Sequence, residues 1–218
     1  MNTAQYLNAL DILAIEYPKW NAPIVTLIAQ RTNDPYMVLI STILSLRTKD
    51  ETTAKSSQRL FALARTPREM VALCPETIEE LIYPVGFYRN KAAQILAISR
   101  RLIDEFDGVV PNDLDTLMTF NGVGRKTANL VLSLGFGLPS VCVDTHVHRI
   151  SNRFGFVRTK TPEETEMAIR RKVQMDRWSG INDLLVAFGQ TLCKPISPFC
   201  SACFVAHLCK RVGVEKSR

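Results

Sequence analysis

Three dipeptides do most to restrict what this chain can fold into: Asp34-Pro35, Thr66-Pro67 and Thr161-Pro162. Each joins a side chain that accepts from the free N–H groups opening a helix to a ring with no N–H to lose. Glu69 and Glu164 follow the two threonines at the third helical position, the spacing of a capping box. Asp50 is a further cap candidate, ahead of ETTAKSSQRLFALA. Residues 3–17 carry Tyr6, Leu7, Leu10, Leu13 and Ile15 near helical spacing and stop at Pro18, and NKAAQILAISRRLIDEF stops at Asp107-Gly108. Residues 112–120 read as a short helix, and KTANLVLSLGF, apolar nearly all round, as a buried one. Nothing alternates long enough for a sheet, and no repeat or linker interrupts the pattern. It predicts an all-α fold of about ten helices with short connections.

The chain has 218 residues, 46% hydrophobic and 22% charged, an ordinary globular balance. No apolar run reaches the ~18 residues of a membrane span, and the first twenty residues lack a basic start and a small-residue cleavage site. These features predict a cytoplasmic protein with no membrane partner. The formal charge of +6 and pI of 9.1 favour an anionic partner such as nucleic acid.

Six cysteines in such a chain argue against a disulfide framework. Cys74 and Cys142 are isolated, whereas Cys193, Cys200, Cys203 and Cys209 fall in the last 26 residues as C-x6-C-x2-C-x5-C. A metal gives four thiolates a reason to stay reduced and close, either as an iron–sulfur cluster or as tetrahedral zinc. Zinc sites usually use two C-x2-C pairs and this run has one, which suits a wrapped cluster better. His207, inside the last gap, would replace a thiol in a zinc site or lie at the surface. Lys194, in the two-proline loop after Cys193, would face a phosphate or solvent.

LDTLMTFNGVGRKTANLVLSL reads as helix, tight turn, helix. The second helix starts at Gly124 or Arg125, so its unpaired N–H groups and positive end face the turn and attract one anion. Gly122 and Gly124 allow positive φ and leave no side chain to block a phosphate, with Val123 between them. This helix–hairpin–helix pattern binds the DNA backbone without regard to sequence. Lys126, in the first turn, sits where the helix dipole disfavours its charge; partial burial would free an amine for attack, and the alternative is a second phosphate contact. Asp144 follows eighteen residues later in CVDTHVHRISNR, either as a helix cap or as a carboxylate facing Lys126 across a cleft. Such a pair suits attack at a sugar carbon, the carboxylate stabilising positive charge on the sugar. His146, just beyond the cap, would hold a phosphate or belong to the core or surface.

Taken together, GVGRKTAN, VDTHVHRISNR, the Lys-to-Asp spacing and C-x6-C-x2-C-x5-C resemble the endonuclease III family of helix–hairpin–helix DNA glycosylase/lyases. DPYMVLISTILSLRTKD and VGFYRNKAAQI resemble its N-terminal segments, and the likeness covers roughly residues 30–210. The resemblance implies two helical domains with a DNA-binding cleft between them: a six-helix barrel over 28–138, and a discontinuous domain of 1–27 and 139–218 that carries the cluster. It implies that Lys126 attacks C1′ of a flipped-out, oxidised pyrimidine nucleotide as a Schiff-base nucleophile, that Asp144 assists, and that β-elimination cuts the strand on the 3′ side. The four cysteines would hold [4Fe-4S]. The partner would be double-stranded DNA with damaged pyrimidines or abasic sites, met by a monomer at the nucleoid. A lysine at 126 separates this lyase branch from monofunctional mismatch or alkylation glycosylases, and Lys126 with Asp144 argues against a cluster-bearing DNA sensor without catalysis.

Three departures accompany the resemblance. Phe120-Asn121 stands where the family usually has Leu-Pro, and Asn is expected to keep the turn. Arg47 stands where a Gln fills the gap left by the flipped base. Phe87 stands where the opposing wedge is commonly Leu, and an aromatic ring can intercalate as well.

Overall fold

In a computed structural model describing residues 1–218 the chain is all helical, with twelve α-helices and two short 3₁₀ turns. In order they are α1 (Thr3–Glu16), α2 (Ile24–Thr32), α3 (Pro35–Ser45), α4 (Asp50–Leu63), α5 (Pro67–Val71), α6 (Pro75–Ile82), α7 (Tyr88–Phe106), α8 (Leu114–Met118), α9 (Arg125–Phe136), α10 (Thr145–Arg153), α11 (Pro162–Lys172) and α12 (Ile181–Thr191). Three helices are unmarked in the sequence pattern, α2, α6 and α12, and the last two follow Cys74 and Gly180, which cap them with no side-chain bond. Where caps were expected, Asp34 accepts from the Tyr36 and Met37 N–H groups, and Thr66 with Glu69 forms a reciprocal box. Thr161 accepts from the Glu164 N–H, but the Glu164 carboxylate accepts from the Lys160 N–H instead of closing a box. Asp50 is not a cap. It is the first residue of α4, behind Lys49, and its carboxylate accepts from the Ile24 N–H at 3.3 Å.

The chain divides into two compact units, Ile24–Leu138 and Met1–Pro23 with Pro139–Arg218. In the first, α3 is the central element: its residues Tyr36 to Leu44 are all buried, and α2, α4, α7 and α9 pack around it. Each fully buried aliphatic side chain there contributes about 1.5–3 kcal/mol. The close α3–α9 approach requires a small residue, because a Cβ on Gly135 would come within 3.1 Å of the Pro35 Cα. A hydrogen bond of 2.7 Å between the Tyr36 and Ser99 hydroxyls ties α3 to α7.

The second unit packs α1, α10 and α12 around Tyr6, Leu13, Ile150, Phe154 and Phe188. Tyr6 stacks on Phe156 with ring centroids 3.8 Å apart. No helix is long and apolar enough to cross a membrane.

Candidate active site

The turn before α9 is closed by the Val123 N–H donating to the Phe120 carbonyl at 3.0 Å. Gly122 has φ +72, which favours glycine, and a Cβ there would displace the Gln94 amide. Gly124 differs from expectation: it is the N-cap with φ −86, an extended conformation open to any residue. What its lack of a side chain leaves is open space beside the first turn of α9. The first intrahelical bond is Ala128 N–H to Gly124 O, so the positive end of α9 begins at this turn. Val123 is buried and anchors the turn. Lys126 lies in that first turn and is exposed, so the partial burial that would help free its amine is not found.

In the same unit Arg47 and Phe87 meet. Both are exposed, both have left-handed backbones (φ 53 and 60), and the guanidinium lies 5.8 Å from the Phe87 ring centroid. A left-handed conformation in a non-glycine residue is strained and persists where its surroundings impose it.

In the other unit Asp144 caps α10, with Oδ1 accepting from the His146 and Val147 N–H groups at 2.8 and 2.9 Å. The helix-cap role is therefore real, and it leaves Oδ2 outside the cap. The His146 ring sits beside Gly189, where a Cβ would overlap it, and Arg149 reaches its Nδ1 at 3.1 Å. A guanidinium only donates, so Nδ1 is the acceptor and the proton of the neutral ring is on Nε2.

Arg149 and Arg153, which the sequence pattern did not single out, tie α10 to the cysteine-bearing tail. Arg149 donates to the Cys193 carbonyl at 2.8 Å. Arg153, 8% exposed, donates to the Lys194 carbonyl at 2.6 Å, to the Pro195 carbonyl, and to Cys193 Sγ at 3.6 Å. The Lys194 side chain is exposed above this clamped loop, with Nζ 5.3 Å from the Phe199 ring.

Cys193, Cys200, Cys203 and Cys209 line one recess, walled by Phe154, Phe188, Phe199 and Val214. Cys74 and Cys142 lie elsewhere, and His207 is exposed and does not line it. Burial pushes the Cys203 thiol up to about 11, and the neighbouring sulfurs add to the rise. Burial raises Cys209 in the same way. Four cysteine sulfurs lining one recess, two of them resisting ionisation, with no carboxylate in the wall, fit a positively charged core between them.

A family model described as HhH-GPD superfamily base excision DNA repair protein matches residues 40–175. The chain is similar to endonuclease III of Thermotoga maritima, 50% identical over 180 residues that make up 83% of this chain and 84% of that one. It is similar to endonuclease III of Bacillus subtilis, 37% identical over 82% of each chain. Among solved structures it is similar to a non-covalent endonuclease III–DNA complex, with TM-score 0.86 and 37% identity over 97% of this chain and 96% of that one.

Proposed function

This chain belongs to the endonuclease III family of HhH-GPD superfamily base excision DNA repair proteins, and we propose that it uses Lys126 to excise oxidised pyrimidines from duplex DNA and cut the strand. It is an enzyme of the DNA glycosylase and AP-lyase class. The observation that carries the finer reading is the division of labour at the hairpin. The positive-φ glycine turn at 122–124 and the N-terminal end of α9 suit a phosphate, and Lys126 stands exposed in the first turn beyond it.

On this reading the unprotonated Lys126 amine attacks C1′ of an extruded nucleotide. The N-glycosidic bond breaks, and the base leaves with its electron pair and takes up a proton. The C1′–O4′ bond of the sugar ring then opens, O4′ leaving as a hydroxyl while the nitrogen gives up a proton, so that C1′ and the lysine form a Schiff base. Loss of the C2′ proton then expels the 3′ phosphate, and water returns the lysine. Asp144, through Oδ2, stabilises positive charge as it develops on the sugar. The hairpin backbone, His146 Nε2 and Lys194 bind phosphates, and Arg47 and Phe87 fill the space the flipped base leaves. The unit Ile24–Leu138 is taken as the barrel domain and the other as the cluster domain. The four cysteines of the recess would hold [4Fe-4S], which when bound shapes the loop between them and takes no part in the reaction. The enzyme acts as a monomer on cytoplasmic, nucleoid DNA.

Borohydride trapping on duplex DNA with an abasic or thymine-glycol site tests the reading. The wild type is expected to form a covalent adduct and Lys126→Ala none. A wild type that excises base without trapping would make the enzyme monofunctional, and one that does neither would leave a DNA-binding protein.

A further inference from the structure

Lys91 is 6% exposed, on the face of α7 that also buries Ala92, Ile95 and Leu102. Burial lowers its proton affinity to about 8, so its place works against its charge. No carboxylate meets it. Its ammonium instead donates to the Leu44 carbonyl at 2.9 Å, the Leu46 carbonyl at 2.6 Å and the Thr48 hydroxyl at 3.2 Å. All three donors are spent on one short stretch, the end of α3 and the turn that carries Arg47.

That turn is also held from Phe87's side. The Gly86 N–H donates to the Thr48 hydroxyl at 3.2 Å, and a Cβ on Gly86 would come within 2.8 Å of the Arg47 carbonyl, so the two backbones touch. The Lys91 N–H donates to the Phe87 carbonyl at 3.0 Å. One residue is thus bonded to the Phe87 segment by its backbone and to the Arg47 turn by its side chain. The two residues projecting from the junction are the left-handed pair, with Phe87 62% exposed.

We propose that Lys91 is a positioning residue for base extrusion, locking the Arg47 turn against Phe87 so that the two side chains enter the duplex as one pre-formed wedge. The proposal rests on the reading above that both enter DNA. A wedge must push bases apart, and a turn that yields before the stacked bases do cannot open them. Backbone held away from its preferred conformations stays so only where several bonds impose it, and the lysine supplies three. A methionine of similar length would fill the same volume and supply none.

The test compares thymine-glycol excision in a fully paired duplex with borohydride trapping on a duplex whose abasic site lies in an unpaired bubble, where little remains to be opened. Lys91→Met is expected to slow excision in the paired duplex by at least about tenfold while trapping on the bubble stays at the wild-type level. Thr48→Val, which removes one acceptor and leaves Lys91 in place, is expected to move the same way by a smaller factor. Equal losses on both substrates, or no loss on the paired duplex, would overturn the proposal. Should melting show Lys91→Met unfolded, Thr48→Val decides on the same criteria. A wild type that traps on neither substrate would defeat the functional reading itself, an outcome distinct from these.

Discussion

The Gln94 side-chain amide donates to the Asn121 carbonyl at 2.9 Å and occupies the space that a Cβ on Gly122 would need. Two turns along α7, Arg101 donates to the Thr119 carbonyl at 2.8 Å, with its guanidinium 4.6 Å from the Phe120 ring centroid. The hairpin is therefore gripped from outside, at the position where a proline was expected.

Asn121 and Gly122 form the middle of a closed four-residue turn, with positive φ at the glycine. That arrangement favours proline at the first middle position. Asn121→Pro is expected to stabilise the protein by about 0.4–1 kcal/mol, chiefly by restricting the unfolded chain. Calorimetry would show this as a rise of about 1–4 °C in Tm. Gln94→Ala leaves the Asn121 carbonyl without its donor and is expected to lower stability by about 1 kcal/mol. If Asn121→Pro lowers Tm instead, the turn is not the one described.

Arg153 holds the loop after Cys193 through two carbonyls and a sulfur. Arg153→Met keeps most of the stem but leaves those acceptors unpaired, at a stability loss of about 2–3 kcal/mol. Lysine cannot replace the fork, since a single ammonium does not present two parallel donors. Iron and acid-labile sulfide per chain, followed over time with a chelator present, should fall faster in Arg153→Met and Arg153→Lys than in the wild type. Equal retention in all three would show that the clamp does not matter to the cysteine recess.

What was readable in the sequence was what local rules carry. Asp34 and Thr66 are caps because their side chains bond N–H groups two and three residues on, and the pattern needs nothing distant. Asp50 misled because an acid is favoured both at the cap and in the first turn, so composition does not separate the two. Gly124 misled for a related reason: two glycines in one turn do not say which takes the positive φ. Lys91 falls on a stripe with Ile95, Ile98 and Leu102, which marks it as facing inward, but its acceptors lie more than forty residues away. Nothing in an arginine or a phenylalanine announces a left-handed backbone, so the strained pair at 47 and 87 was visible only by resemblance. Arg149 and Arg153 looked like ordinary basic residues because the loop they bind is brought to them by the fold of the tail.

Gly189 gives a test of His146 that leaves the histidine in place. A Cβ at 189 would overlap the ring that Arg149 reaches, so Gly189→Ala should push the ring out of its seat. The overpacking is expected to destabilise by about 1–3 kcal/mol and to weaken binding of abasic duplex DNA several-fold, read by fluorescence anisotropy at fixed salt. In a His146→Ala background the same substitution should do much less, because the two residues share one contact. Equal effects in both backgrounds would place the cause elsewhere on α12.

Lys91 also predicts how stability changes with pH. In the folded protein its proton leaves near about 8, whereas in the unfolded chain it holds to the ordinary lysine value of 10.5. Between those values the unfolded chain binds more protons, so this group makes the folded state progressively more stable as pH rises. Below pH about 8 both states are protonated, and burying the charge is unfavourable by a constant amount. Urea midpoints of the wild type and Lys91→Met, measured from pH 7 to 10, should therefore diverge above about 8. The wild type should gain relative to the methionine variant, since only the wild type carries the group. Parallel curves across that range would mean that the three acceptors offset the burial and keep the ammonium charged.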